Sequence, residues 1–159
     1  MVNCCSKDIP NMWAKGGIKY LALPWTDDDD CVLFDDDPEI AENIFNFVEE
    51  GLAEGANVIV HCMNGQSRSG AALACYLMRK YRWSASKCIE FISYRRANFH
   101  MRESFVDQLE SHQQMQSLMG IDAKSETFDE CSFNEEEDGP ELVAAELTLH
   151  NTIVNARMA

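Results

Sequence analysis

The stretch Val60-His61-Cys62-Met63-Asn64-Gly65-Gln66-Ser67-Arg68-Ser69-Gly70 decides how the rest of the chain is read. It follows directly on Val58-Ile59, and the run Val58-Ile59-Val60 has the length and character of a strand covered on both faces. After Gly70 comes Ala-Ala-Leu-Ala-Cys-Tyr-Leu-Met, apolar all round and therefore a buried helix, leaving the loop from about Ser69. Between strand and helix lies a tight loop with Gly65 inside it. Ligands of α/β folds bind at the carboxyl ends of strands. A loop that ends at a helix N-terminus also offers free backbone N–H groups and the positive end of the helix dipole to an anion.

Two side chains give this loop its chemistry. Arg68 presents a planar fork of donors that matches phosphate oxygens. The field that holds a phosphate also favours thiolate over thiol, so Cys62 is expected to be acidic and nucleophilic. Such sites lower a thiol from about 8.5 to between about 3.5 and 7.5. A thiolate beside a phosphate cradle implies displacement at phosphorus through a phosphocysteine intermediate.

Working outward, Ile18 to Leu23 reads as a strand stopped by Pro24. Asp37-Pro38 is a helix start, with Asp as N-cap and Pro at the first helical position. Ile40, Ile44, Phe47, Val48 and Leu52 then recur at helical spacing and make one buried face, and Gly55 closes the helix. Ser84 caps a later helix that carries Cys88, Ile89 and Ile92 inward. A last helix over 103–118 faces Phe105, Val106 and Leu109 to the core. Strand, helix, strand and three helices make an α/β arrangement with helices covering a central sheet.

At 159 residues the chain suits one domain. No apolar run approaches the roughly 18 residues of a membrane span, and the start of the chain lacks the pattern of a secretory signal. A net charge of −14 argues against nucleic acid or an anionic membrane as partner. Seven cysteines without paired spacing suggest a reducing compartment, cytoplasmic or nuclear. Residues 122–159 hold ten acids against Lys124 and Arg157, so a folded domain is expected over 1–120 and an acidic tail over 121–159. Within the tail, 125–141 is expected to be disordered and 142–154 to form a short, marginal helix.

His61-Cys62-x-x-Gly65-x-Ser67-Arg68-Ser69 resembles the signature of cysteine-dependent protein phosphatases, and Cys75-Tyr76-Leu77-Met78 resembles an extension of the dual-specificity subgroup. Tyr20-Leu21-Ala22-Leu23-Pro24-Trp25-Thr26-Asp27 is similar to that subgroup's strand leading to the general-acid loop. Arg95-Arg96, 105–109 and Val2-Asn3-Cys4-Cys5 resemble its closing helices and second strand. The resemblance covers roughly residues 2–118 and is to the small atypical type, with no kinase-docking or rhodanese-like domain expected. It implies a cysteine-phosphatase-like α/β fold that acts on phosphorylated proteins, with no cofactor and no metal.

The roles it implies are carried residue by residue. Cys62 attacks phosphorus, while Arg68 and the backbone amides of Met63, Asn64, Gly65, Gln66, Ser67 and Arg68 hold the equatorial oxygens. Asp27 protonates the leaving oxygen and then activates water. Ser69 eases departure of the sulfur, and His61 fixes the loop. Within the run Asp27 to Asp30 a second candidate stays open: counting from Tyr20 selects Asp27, while spacing back from the cysteine falls nearer Asp30.

No second His/Cys pair lies at ligand spacing from His61-Cys62, which leaves zinc with little support. Cys31 is a conceivable disulfide partner for Cys62. A phosphoinositide or RNA 5′-triphosphate phosphatase on the same scaffold would carry extra basic groups in the loop, where Met63, Asn64 and Gln66 are uncharged. An inactive phosphobinding protein would commonly lose the cysteine or arginine. Two departures from the pattern stand out: the chain starts at the family's second strand, as a fragment or incomplete gene model would, and Met101-Arg102 replaces the Pro-Asn that commonly precedes the closing helix.

Overall fold

A computed structural model describes residues 1–34, 39–96 and 98–124. Among them are three short strands, β1 (Val2–Asn3), β2 (Leu21–Ala22) and β3 (Val60–His61). Four α-helices follow from the expected segments: α1 (Glu39–Ala53), α2 (Ser67–Tyr81), α3 (Ala85–Arg95) and α4 (Glu103–Leu118). The sheet is parallel throughout with order β2-β1-β3. Val2 stands opposite Leu21 on one side and Val60 on the other. Its carboxyl ends therefore gather residues 4–8, 23–27 and 62–66 at one end of the molecule.

Helix α2 is the hub. It packs against α1, α3 and α4, and its residues 71–78 are buried except for the half-buried Leu73. Tyr76 and Lys80 both donate to Glu49 of α1, and Arg79 donates to Glu42, which ties the two helices across their polar rim. Ser84 caps α3 by accepting from the Lys87 N–H at 3.2 Å. Gly55, with φ +72°, closes α1 while its N–H donates to the Leu52 carbonyl. Phe105 and Leu109 of α4 are fully buried beside Trp83 and Leu33 in the core.

Three expectations need correction. The strand expected over Ile18 to Leu23 is shorter: pairing in β2 holds at Leu21–Ala22, and Ile18 is exposed. The face of α1 is buried at Ile44 and Val48, but Leu52 is exposed near the helix end. The run Val58-Ile59-Val60 is not covered on both sides, since Ile59 is 54% exposed. The sheet order leaves β3 at an edge among the described residues, and an apolar run cannot tell an edge strand from a central one. A cleft of about 300 Å³ lined by Val48, Val58, Val60 and Leu73 opens beside it. The Asp37-Pro38 helix start and the tail from residue 125 lie outside the described residues. Lys124 is the last described residue, and its N–H donates to the Arg82 carbonyl at 2.8 Å.

Candidate active site

The loop between β3 and α2 closes around Cys62. Gly65 takes φ +65°, a left-handed conformation that glycine adopts without a Cβ clash. Helix α2 begins at Ser67, two residues before the sequence suggested, so Arg68 sits in the first helical turn rather than in the loop. The turn at Gln66 (φ −119°, ψ −108°) breaks the extended chain there and gives no side-chain cap to the helix. No side chain caps the first amides of α2 as Ser84 caps those of α3, and the Ser69 amide hydrogen-bonds to Cys62 instead.

Cys62 is 7% exposed, and its Sγ lies 3.3 Å from Ser69 Oγ. Burial by itself would push the thiol's pKa up. Hydrogen bonding from the Ser69 side chain and from the amides of Ser69, Gln66 and Gly65 outweighs it, and the thiol ends below its ordinary value. Three other thiols go the opposite way: burial pushes Cys75 up to about 12 and raises Cys4 and Cys5 as well. Cys62 differs from these three in the direction of its shift. Cys31 is buried and its Sγ accepts from the Thr26 N–H at 3.3 Å, within its own loop.

Arg68 is 3% exposed. Its Nη1 donates to Asp8 Oδ2 at 2.8 Å and to the Trp25 carbonyl at 3.3 Å, while Nη2 stands 3.6 Å from Asp27 Oδ2. Burial alone would lower its pKa; the Asp8 hydrogen bond and the charges of Asp27 and Cys62 hold it above the ordinary value. Its Nε is buried and donates to no acceptor among the described residues. A buried guanidinium with a free N–H beside the Cys62 thiol and backbone amides has the donors that could receive a tetrahedral oxyanion.

The structure brings Asp27, Cys62, Arg68 and Ser69 to one end of the sheet. Asp28 and Asp30 are exposed and form no ion pair among the described residues. Met63, at 53% exposed, and Asn64 form the outer lip of the loop. His61 is half-buried in β3; its Nε2 has no hydrogen-bond partner among the described residues, so that atom does not brace the loop.

The bracing comes from contacts that sequence reasoning did not assign. Arg96 Nη2 donates to the Asn64 carbonyl at 3.1 Å, and Gln66 Nε2 donates to the Asn98 carbonyl at 3.2 Å. The Arg102 N–H donates to Ser67 Oγ at 3.1 Å, which supplies loop support at the site where Met101-Arg102 stands. Asp8 was likewise missed. Its only sequence signal was an acid placed just after Cys4-Cys5, which no spacing rule selects. Among the described residues no group of three or more His, Cys, Asp or Glu is placed to hold a metal ion, and no helix is long and apolar enough to cross a membrane.

The chain is similar to known proteins in sequence and in fold. Residues 1–115 match the family model described as the dual specificity phosphatase catalytic domain. The chain belongs to that family. It is 28% identical over 114 residues to protein phosphatase Slingshot of Drosophila melanogaster, covering 72% of this chain and 10% of the relative. It is 32% identical over 69 residues to dual specificity protein phosphatase 1B of Arabidopsis thaliana, covering 43% of this chain and 41% of that one. The chain thus spans less than half the length of these curated relatives. A mouse putative dual specificity phosphatase, solved with zinc tungstate, superposes with a TM-score of 0.57 at 27% identity, over 66% of this chain and 64% of the other. A structure of PTPMT1 shares the fold, with a TM-score of 0.59 at 24% identity over 75% and 78% of the two chains.

Proposed function

We propose that this chain is a phosphoric monoester hydrolase that removes phosphate from phosphotyrosine and from phosphoserine or phosphothreonine in proteins. The observation that supports it most is the pairing of a lowered Cys62 thiol with the buried Arg68 fork at the start of α2. The thiolate attacks phosphorus in line with the leaving oxygen. The Arg68 Nε and the loop amides from Met63 to Arg68 hold the equatorial oxygens as their charge builds. A phosphocysteine forms at Cys62, and the alcohol or phenol leaves with a proton from Asp27. The Asp27 carboxylate then takes a proton from water as water attacks phosphorus, and Ser69 Oγ at 3.3 Å donates to the departing sulfur.

Asp27 is our choice for the acid because its Oδ2 reaches within 3.6 Å of Arg68, a contact that Asp30 does not make. Uncharged Met63, Asn64 and Gln66 around the loop favour a single phosphate over a polyphosphorylated ring or chain. We propose residues 1–120 as the catalytic unit. The test is turnover of phosphotyrosine and phosphothreonine peptides beside phosphoinositide vesicles and an RNA 5′-triphosphate. Turnover of both peptide classes supports the reading; release of phosphate from the lipid or RNA alone overturns it.

A further inference from the structure

Asp27 lies in a segment without regular secondary structure, between β2 and α1, and carries three further acids behind it. Like charges packed this closely push the loop outward into solvent. What holds it against the catalytic loop is the first part of α4. Arg102 Nη2 donates to the Asp27 carbonyl at 2.6 Å, and Nη1 donates to Asp29 Oδ1 at 3.1 Å. Ser104 Oγ donates to the same Asp29 oxygen at 3.1 Å. Further along, Gln108 donates to the Cys31 carbonyl at 2.9 Å and accepts from the Leu33 N–H at 2.7 Å. The Arg102 backbone meanwhile holds Ser67 of the catalytic loop. One residue therefore touches both halves of the site.

We propose that Arg102 is a positioning residue that docks the Asp27 loop onto the phosphate-binding loop and aims the Asp27 carboxyl at the leaving oxygen. The inference rests on the reading of Asp27 as general acid. Its particular strength is where the guanidinium grips. The short bond is to the main-chain carbonyl of Asp27, while the carboxylate oxygen Oδ1 is 3.5 Å away. The acid is thus held most tightly by its backbone, while its carboxylate makes only longer contacts, Oδ1 at 3.5 Å from Arg102 Nη2 and Nε and Oδ2 at 3.6 Å from Arg68. The second arm fixes Asp29, two residues on, so the loop is clamped at two points and cannot swing about one. Such a two-point grip needs the planar fork of arginine; a lysine ammonium is a single point of charge. This position is also one of the two where the sequence departs from the Pro-Asn of the resembled family.

The experiment measures kcat and KM of the full chain and of Arg102→Ala, Arg102→Lys, Asp27→Asn and the Arg102→Ala/Asp27→Asn double variant. Two substrates are used: para-nitrophenyl phosphate, whose leaving group needs no proton, and a phosphothreonine peptide, whose leaving group does. Thermal melting and alkylation of Cys62 report on the fold of each. Arg102→Ala should lower kcat on the phosphopeptide by about tenfold or more, up to the roughly 10²- to 10⁴-fold that general-acid catalysis supplies. Its kcat on the aryl phosphate should stay within about twofold, because displacement of the acid is the only step lost. Arg102→Lys, the variant less able to disturb packing, should fall in the same substrate-selective way. The double variant should be no slower than Asp27→Asn alone.

Equal loss on both substrates, or none on the phosphopeptide, in both Arg102 variants overturns the positioning role. If Asp27→Asn shows the selective loss and the Arg102 variants do not, the docking inference alone fails. If Asp27→Asn shows no selective loss, the acid assignment fails and this inference falls with it.

Discussion

Ser69 Oγ lies 3.3 Å from Cys62 Sγ, and the two side chains are buried together beneath the start of α2. Their contact is among the interactions that hold the thiol below its ordinary pKa despite burial. Removing the hydroxyl should therefore move the acidic limb of the pH–rate profile upward, since thiolate must exist before attack. Ser69→Ala should also slow breakdown of the phosphocysteine, because the departing sulfur loses a donor. A pH series of kcat/KM on an aryl phosphate checks the first effect, and a pre-steady-state burst of phenol checks the second.

Selective alkylation follows from the same contrast. Cys62 is lowered, whereas burial raises Cys4 and Cys5 and holds Cys75 at about 12. Limiting iodoacetamide at mildly acidic pH should label Cys62 first. Phosphate or vanadate should protect it by filling the loop. Peptide mapping reads both outcomes.

Asp8 is expected to matter through Arg68. The guanidinium is 3% exposed, and Asp8 makes its shortest contact at 2.8 Å. Breaking a fully buried pair costs about 3–5 kcal/mol. Asp8 is 43% exposed, so solvent screening should cut this to about 1 kcal/mol. Asp8→Asn should raise KM more than it lowers kcat, because Arg68 is then free to shift away from the phosphate seat. Steady-state kinetics on one substrate separates the two.

Gly65→Ala should damage the loop directly. The position has φ +65°, which costs a non-glycine residue about 1–2 kcal/mol. An added Cβ would also stand 2.7 Å from Arg96 Nη2, the group that holds the Asn64 carbonyl. Lower melting temperature together with weaker vanadate binding is the expected result. Vanadate affinity unchanged from the parent would show that the loop geometry does not depend on this glycine.

Much of this site was legible because its parts are contiguous. Cys62, Gly65, Arg68 and Ser69 fall within eight residues, and the strand-loop-helix frame that makes them useful is written in the apolar runs on either side. Asp27 was reachable by counting from Tyr20, and its 3.6 Å approach to Arg68 is a tertiary fact. The bracing residues were not legible for the same reason. Asp8 is 60 positions from Arg68, Arg96 is 32 from Asn64, and Arg102 is 75 from Asp27. Charged residues on helix ends carry no periodic signal that says which loop they will meet. The two-residue shift in the start of α2 has a local cause, since serine at 67 is as ready to begin a helix as serine at 69.

The central claim is that phosphate passes through Cys62. The most direct measurement is rapid acid quench of the enzyme during turnover of a phosphotyrosine peptide, followed by mass spectrometry of the peptide holding Cys62. A phosphoryl group on Cys62, absent from Cys62→Ser and more abundant in Asp27→Asn, is the result expected. Continued turnover by Cys62→Ser, with no phosphorylated Cys62 at any quench time in the parent enzyme, would contradict it.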